Sequence, residues 1–172
     1  THSIFGDLEN TGNTLISNDF EAVDEIDFVT MGNAYVNRIS PGYQSTKCNE
    51  IILVDKDARA TIGTSIISAT VNKFEFSFKY WNKSDSKIKA RILLTKDDNS
   101  QETMGYFYLY PTNTWTDKNY LIQISEDIPI FYLDHLALNI YGPQDDDETI
   151  QLYIDKLEVK ETRFQLVNND QL

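Results

Sequence analysis

Groups that do covalent chemistry are scarce in this chain. Its 172 residues include two histidines, His2 and His135, one cysteine, Cys48, and 27 aspartates and glutamates. A nucleophilic triad needs a serine or cysteine served by a histidine, and neither a G-x-S-x-G turn nor a cysteine-protease signature is present. No Cys/His spacing suits zinc, and no glycine-rich loop suits a phosphate. Paired carboxylates are the chemistry of glycoside hydrolysis, but among 27 acids such pairs arise by chance. Ring-bearing residues are abundant instead, with 10 Tyr, 9 Phe and 2 Trp. A tyrosine or tryptophan offers a flat apolar face with a polar edge. The C–H face of a sugar ring stacks well on such a surface.

The rings fall into a pattern. In "MGYFYLY" (104–110), Tyr106, Tyr108 and Tyr110 alternate with Phe107 and Leu109. Alternate residues of a strand share a face about 6.6–6.8 Å apart, so with Phe107 and Leu109 in the core the tyrosines line roughly 13 Å of the other face. Two readings stand for that row: a platform for a glycan, or the second side of a strand covered by a loop. Trp81 falls on the polar face of its own segment. Trp115 sits in a turn, either as a loop anchor or as a ligand contact. Arg91, Gln123, Asn139 and Glu75 are the polar residues of adjacent segments available to sugar hydroxyls.

The elements that must position these groups are strands. "KFEFSFKYW" (73–81) puts Phe74, Phe76, Phe78 and Tyr80 on one face, and "KIKARILLT" (87–95) does the same with Ile88, Ala90, Ile92 and Leu94. "NYLIQI" (119–124), "HLALNIY" (135–141) and "TIQLYIDKLEV" (149–159) continue the pattern. "EIDFVTM" (25–31), "AYVNRI" (34–39), "EIILV" (50–54) and "ARATIG" (58–63) are weaker strands. Turn residues punctuate them at short intervals, as in "SPG" (40–42), "KDDNSQ" (96–101), "SEDIP" (125–129) and "GPQDDDE" (142–148). The acidic loop 144–148 lacks the spacing of a calcium-binding EF-hand and reads as a solvated turn. Near the end, Phe164, Leu166 and Val167 supply a last strand or an edge cover, followed by a polar end. The pattern predicts an all-β sandwich or barrel in one domain of ordinary size over 1–172, with its core at about 13–160.

Charge narrows the partners. Fifteen basic residues against 27 acidic ones give a net charge of -12. That balance argues against nucleic acid, whose phosphates need Lys and Arg to displace counterions, and against anionic membrane surfaces. Neutral molecules, cations and proteins remain. No apolar run is long enough to span a membrane, and the start, "THSIFGDLEN", has no signal-peptide pattern. One cysteine excludes an internal disulfide but not export.

One residue breaks the strand logic. Asp155 sits in the middle of "LYIDKLEV" (152–159), where aspartate is depleted and a buried carboxylate needs a partner. Together with "NTLISNDFEA" (13–22), "FEFSFKYWNK" (74–83) and "TWTDKNYLIQI" (114–124), this stretch resembles the β-jelly-roll carbohydrate-binding modules of the family 4, 9, 16 and 22 type. Those modules open on an "NLLxNGxFE"-like strand and close on "YIDDVxL". The resemblance spans about residues 13–160 and implies a jelly roll of two antiparallel sheets. It implies a non-catalytic module binding poly- or oligosaccharide, in a secreted or cell-surface bacterial protein, beside a neighbouring domain. It also implies a structural Ca²⁺ held by Glu21 and Asp155, with Asn18 or Asp19 nearby; the residues alone leave equally open an Asp155 bonded to backbone amides or a lysine. Two positions depart from the pattern: Asp19 replaces the family glycine, and Lys156 replaces the second acid of "IDD". The same fold also serves as a structural or protein-interaction domain of larger enzymes, and this is the rival reading.

Overall fold

Residues 7–145 and 147–167 are described by the computed structural model. His2, Asp146 and the polar end after Val167 lie outside these residues. The strands are β1 (Asp7–Asn10), β2 (Thr14–Asn18), β3 (Val29–Met31), β4 (Ala34–Ile39), β5 (Cys48–Leu53), β6 (Arg59–Ser65), β7 (Lys73–Asn82), β8 (Ile88–Lys96), β9 (Gln101–Leu109), β10 (Thr116–Gln123), β11 (Leu133–Tyr141), β12 (Ile150–Glu161) and β13 (Phe164–Val167). Among the described residues the one helical piece is a 3₁₀ turn, Ile130–Tyr132.

These strands form two packed antiparallel sheets, the jelly-roll sandwich that the alternation predicts. One is six-stranded, in the order β10-β7-β12-β5-β4 with β2 also on β12. The other is five-stranded, in the order β3-β6-β11-β8-β9. β1 and β13 make a separate pair, so the apolar triplet at 164–167 does end in a strand.

The core fills the gap between the sheets with the residues that the period of two selects. Phe74, Phe76, Phe78 and Tyr80 of β7 meet Ile88, Ala90, Ile92 and Leu94 of β8 in one apolar cluster, joined by Leu136, Leu138 and Ile140 of β11 and by Leu152 and Ile154 of β12. Phe107 ties the sheets together. Its ring lies 6.5 Å from Phe78 and stacks on Tyr120 at 4.6 Å, centroid to centroid. Gly105 leaves room for this arrangement, because a Cβ there would collide with the Tyr120 hydroxyl.

β12 is the pivot of the six-stranded sheet. One edge runs along β7 throughout. The other edge pairs Ile150–Ile154 with β5 and then Leu157–Lys160 with β2. At the changeover Lys156 has φ +53° and the register with β7 slips between Asp155 and Glu158, as a β-bulge requires. The bulge restores Leu157 and Val159 to the core face after Asp155 has faced outward.

Two segments differ from the sequence reading. The strand expected over 25–31 shrinks to Val29–Met31. The cause is Glu25, whose carboxylate accepts the backbone N–H groups of Asp19, Glu21 and Ala22 and folds the segment into a turn. The turn at 125–129 also continues into the 3₁₀ turn, closed by Tyr132 N–H donating to the Pro129 carbonyl at 2.9 Å.

Candidate functional site

The sandwich has two outer faces, and the candidate residues divide between them. Tyr106, Tyr108, Arg91 and Asn139 stand on the outer face of the five-stranded sheet, with Tyr110 just beyond β9. Trp81, Glu75 and Gln123 stand on the outer face of the six-stranded sheet, with Trp115 entering β10. The reading of all nine as one set is therefore corrected: strand alternation fixes which side of its own sheet a residue takes, but not which sheet the strand joins.

On the five-stranded sheet, register arranges the outward side chains in rows across the strands. One row runs Arg59, Tyr141, Lys89, Tyr108, and the next runs Thr61, Asn139, Arg91, Tyr106. Phe107 is 6% exposed and Tyr106 51%, so the tyrosines face solvent and the phenylalanine the core. Tyr110 is 58% exposed and its ring lies 6.4 Å from Tyr108. Cations rest on the rings: Arg59 at 4.3 Å from the Tyr141 centroid, Lys89 at 4.4 Å from Tyr106 and Lys87 at 4.3 Å from Tyr108. Arg91 is fixed from below, its Nε donating to Asn139 Oδ1 at 3.0 Å and its Nη1 to Thr103 Oγ1 at 3.2 Å. Asn139 in turn donates to Thr61 Oγ1. Hydrogen bonds with Thr103 and Tyr141, then the charges of Lys89 and Arg91, hold the Tyr106 hydroxyl below its usual pKa. Beside these rows, Val29, Met31, Thr61, Gly63 and His135 line a shallow depression of about 390 Å³.

The six-stranded face is organised differently. Trp81, Trp115, Tyr153 and Tyr43 form a half-buried cluster with centroids 6.1–6.2 Å apart. Trp115 packs against Tyr43, Trp81 and Tyr153, as a loop anchor would. Polar groups beside the cluster bond one another: Gln151 Nε2 donates to Glu50 Oε2 at 2.9 Å, and Asn37 Nδ2 to Glu50 Oε1 at 3.4 Å. Glu75 accepts from Asn10 Nδ2 at 3.1 Å, while Gln123 is exposed at the opposite end of the sheet from the cluster.

Asp155 lies under this cluster, 0% exposed. Its Oδ2 accepts Tyr43 N–H at 2.8 Å and Ser45 Oγ–H at 2.9 Å, and its Oδ1 accepts Lys156 N–H at 2.8 Å. Burial raises its pKa, and these bonds pull it part of the way back. Gly42 permits the close approach of the loop, because a Cβ there would stand 2.6 Å from Asp155 Oδ2. Glu21 reaches the same loop from the other side, accepting Lys47 N–H at 2.7 Å. Asn18 Oδ1 accepts Phe20 N–H, and Asp19 Oδ1 accepts Glu21 N–H. Both Asp155 oxygens, Glu21 Oε1, Asn18 Oδ1 and Asp19 Oδ1 thus each receive an N–H or O–H donor, and these atoms are turned to the backbone of the two loops rather than gathered round the six to eight oxygens of a calcium site. Among the described residues no group of three His, Cys, Asp or Glu side chains could hold a metal. Cys48 lies in the same place, its thiol pushed up to about 12 by burial and then by the charges of Asp155, Glu50 and Glu21, so it is no nucleophile.

Tyr141, Tyr43 and Tyr153 belong to the two faces and were not singled out from sequence. Tyr141 alternates with Leu136, Leu138 and Ile140, a signal that places it outward; its position beside Lys89 and Arg59 depends on register between strands.

No family model matches the sequence, and no curated protein matches it. Solved structures do. The fold is that of the β-sandwich carbohydrate-binding modules. A family 22 xylan-binding domain from Paenibacillus barcinonensis matches with TM-score 0.63 at 11% identity, covering 90% of this chain and 98% of that one. A family 22 xylan-binding domain matches with TM-score 0.61 at 15% identity, covering 90% and 97%. A family 11 module from Clostridium thermocellum, in complex with a β-1,3-1,4-mixed-linked tetrasaccharide, matches with TM-score 0.53 at 12% identity, covering 84% and 94%.

Proposed function

We propose that this chain is a non-catalytic carbohydrate-binding module that holds a glycan along the outer face of its five-stranded sheet. The observation that carries the reading is the pair of rows in which outward-facing tyrosines, Tyr106 exposed and Tyr108 and Tyr141 half-buried, stand beside cations and a hydrogen-bonded Arg91. Sugar rings stack on Tyr106, Tyr108 and Tyr110, and Arg91 donates to hydroxyls from a position set by Asn139 and Thr103. The similar structures support it, being xylan-binding domains and a module complexed with a mixed-linked tetrasaccharide. One of them couples a family 22 module to a GH10 module in complex with xylohexaose, which supports a neighbouring domain and a place in a secreted or cell-surface bacterial protein. Among the described residues no helix is long and apolar enough to cross a membrane.

A shallow open face gives modest affinity, with few residues carrying most of it. A glycan array followed by titration calorimetry with Tyr108→Ala tests the reading. Binding is expected to weaken about tenfold or more with the fold intact. Wild-type protein that binds no glycan on the array would sink the proposal.

A second reading is favoured by a separate observation. Phe131 is 78% exposed on the 3₁₀ turn, its ring tilted at 41° to that of the exposed Tyr132 with centroids 4.8 Å apart. Large exposed apolar side chains of this kind suit contact with another protein or domain.

A further inference from the structure

The distribution of charge on the proposed glycan face points to a substrate class. The chain as a whole carries -12, yet the outward positions of β6 and β8 include Arg59, Lys89 and Arg91 and no carboxylate. The same holds for the outward positions of β11 from His135 to Tyr141 and for Thr103, Tyr106 and Tyr108 of β9. The acids of these strands, Asp134 and Glu102, stand at the far end, where Glu102 pairs with Lys96 at 3.5 Å. Among the described residues, Arg59, Lys89 and Arg91 make no ion pair. They lie instead on rings: Arg59 and Arg91 at 4.3 and 5.5 Å from the Tyr141 centroid, Lys89 at 4.4 and 5.2 Å from Tyr106 and Tyr141.

A cation–π contact orients a cation without neutralising it. Arg91 is oriented further by Asn139 and Thr103, so its guanidinium is preorganised for a planar acceptor. In a chain with almost twice as many acids as bases, a cluster of cations without acids is complementary to an anionic ligand. We propose that the glycan bound on this face carries carboxylate sugars, that is, an acidic polysaccharide of the uronate class. Tyrosine rings take the apolar faces of the sugars, and Arg91 with Lys89 and Arg59 takes the carboxylates through charge-assisted hydrogen bonds. A uronate polymer, whose charges are interrupted by neutral ring faces, tolerates the acidic remainder of the protein better than a nucleic acid with one charge per ~1.7 Å of duplex.

This inference rests on the glycan-binding reading, and one experiment separates the two. Affinity electrophoresis and calorimetry are run with a polyuronate, with the same polymer after chemical reduction of its carboxyls to alcohols, and with poly(U) RNA. The acidic polymer is expected to bind at least about tenfold more tightly than its reduced form, with the difference shrinking as salt rises. Arg91→Gln and Lys89→Gln each remove that preference, whereas Lys73→Gln, on the other sheet, leaves it. Lys89→Gln is the safer variant, since among the described residues no hydrogen bond depends on that amine, whereas Arg91 holds Asn139 and Thr103.

Equal binding of acidic and reduced polymers overturns the uronate inference and leaves the glycan reading standing. Binding of neither, nor of any neutral glycan, removes both. A preference that survives Arg91→Gln and Lys89→Gln overturns the placement on this face. Poly(U) bound as tightly as the polyuronate overturns the sugar and leaves a general polyanion surface.

Discussion

On the outer face of the six-stranded sheet, Trp81, Trp115, Tyr153 and Tyr43 lean on one another, and acids and bases mingle: Glu50, Glu75, Asp117, Asp155 and Glu158 share the face with Lys79, Lys83 and Lys160. On the outer face of the five-stranded sheet, tyrosines spread along strands and carry cations, and the rows through Arg59 and Arg91 have no acid. Both faces are rich in rings, and the tryptophans are on the first. Rings on both faces carry cations, Lys79 and Lys83 on the first and Lys87, Lys89 and Arg59 on the second. What separates the faces is the carboxylates, which stand among the cations of the first face and are missing from the rows of the second. A tryptophan is thus a poorer guide to a binding surface here than an arginine with no carboxylate partner.

The sharpest way to break the comparison is at β9, where one strand serves both the core and the outer face. Phe107→Ala is expected to cost roughly 3–5 kcal/mol in denaturant unfolding, because it empties a packed position between the sheets. Tyr108→Ala, which removes a half-buried ring from the outer face, should cost clearly less than Phe107→Ala and weaken glycan binding. Reversal of the two results would mean that β9 faces the other way.

Asp155→Ala comes next. It leaves the N–H groups of Tyr43 and Lys156 without acceptors, at about 1–3 kcal/mol for each buried orphan, while the Ser45 hydroxyl can rotate away. Chelation with EDTA should leave the wild-type melting curve where it was, since N–H and O–H donors occupy the carboxylate; a lowered melting temperature would restore the metal. The pH dependence sharpens this further. Burial raises the Asp155 pKa above its usual 3.8, so on acidification the native state takes up this proton before the unfolded chain does. Asp155's contribution to stability should therefore grow as pH falls through the raised value towards 3.8. Wild type minus Asp155→Asn, followed by urea unfolding across that window, isolates the effect; a difference that shrinks with acid would contradict the sign.

Trp115→Ala tests the six-stranded face. Loss of a half-buried ring should cost roughly 2 kcal/mol, below the 3–5 of a fully buried one, and leave glycan affinity intact. If affinity falls and stability does not, the binding surface belongs on that sheet.

The smallest effects are expected at Lys79, which pairs with the exposed Asp117 on the six-stranded face, and at Lys89. Lys79→Ala should cost less than about 1 kcal/mol, and Lys89→Ala, with no carboxylate to lose, should cost less still. A thermal-melt ranking in the opposite order would show that Lys89 does have an acidic partner.

Much of this fold is legible in the sequence, because each long strand states its inward face by alternation. β7, β8, β9, β11 and β12 run as the pattern predicts; the resemblance implies that Glu21 and Asp155 share a Ca²⁺, and in the structure both bond the 43–47 segment. What the sequence hides is relational. Trp81 and Tyr106 both alternate outward, yet their strands join different sheets. The partners of Asp155, Tyr43 and Ser45, lie 112 and 110 positions away and bond through a backbone amide and a hydroxyl, neither of which leaves a motif. The chemistry of the carboxylate was readable, but its choice of amides over a cation depends on how closely a loop approaches.

The position of β12 has a consequence for how the chain is made. Residues 150–161 form an interior strand of their sheet, between β7 on one side and β5 and β2 on the other. A ribosome therefore releases the two flanks of that sheet well before the strand that joins them. Until it emerges, β7 and β5 each present an unpaired apolar edge, the kind of surface that pairs with other nascent chains. Completion of this sheet waits on contacts between distant parts of the chain, and such contacts form slowly. A chaperone that shields strand edges would find its main work here in the interval before residue 161 is released.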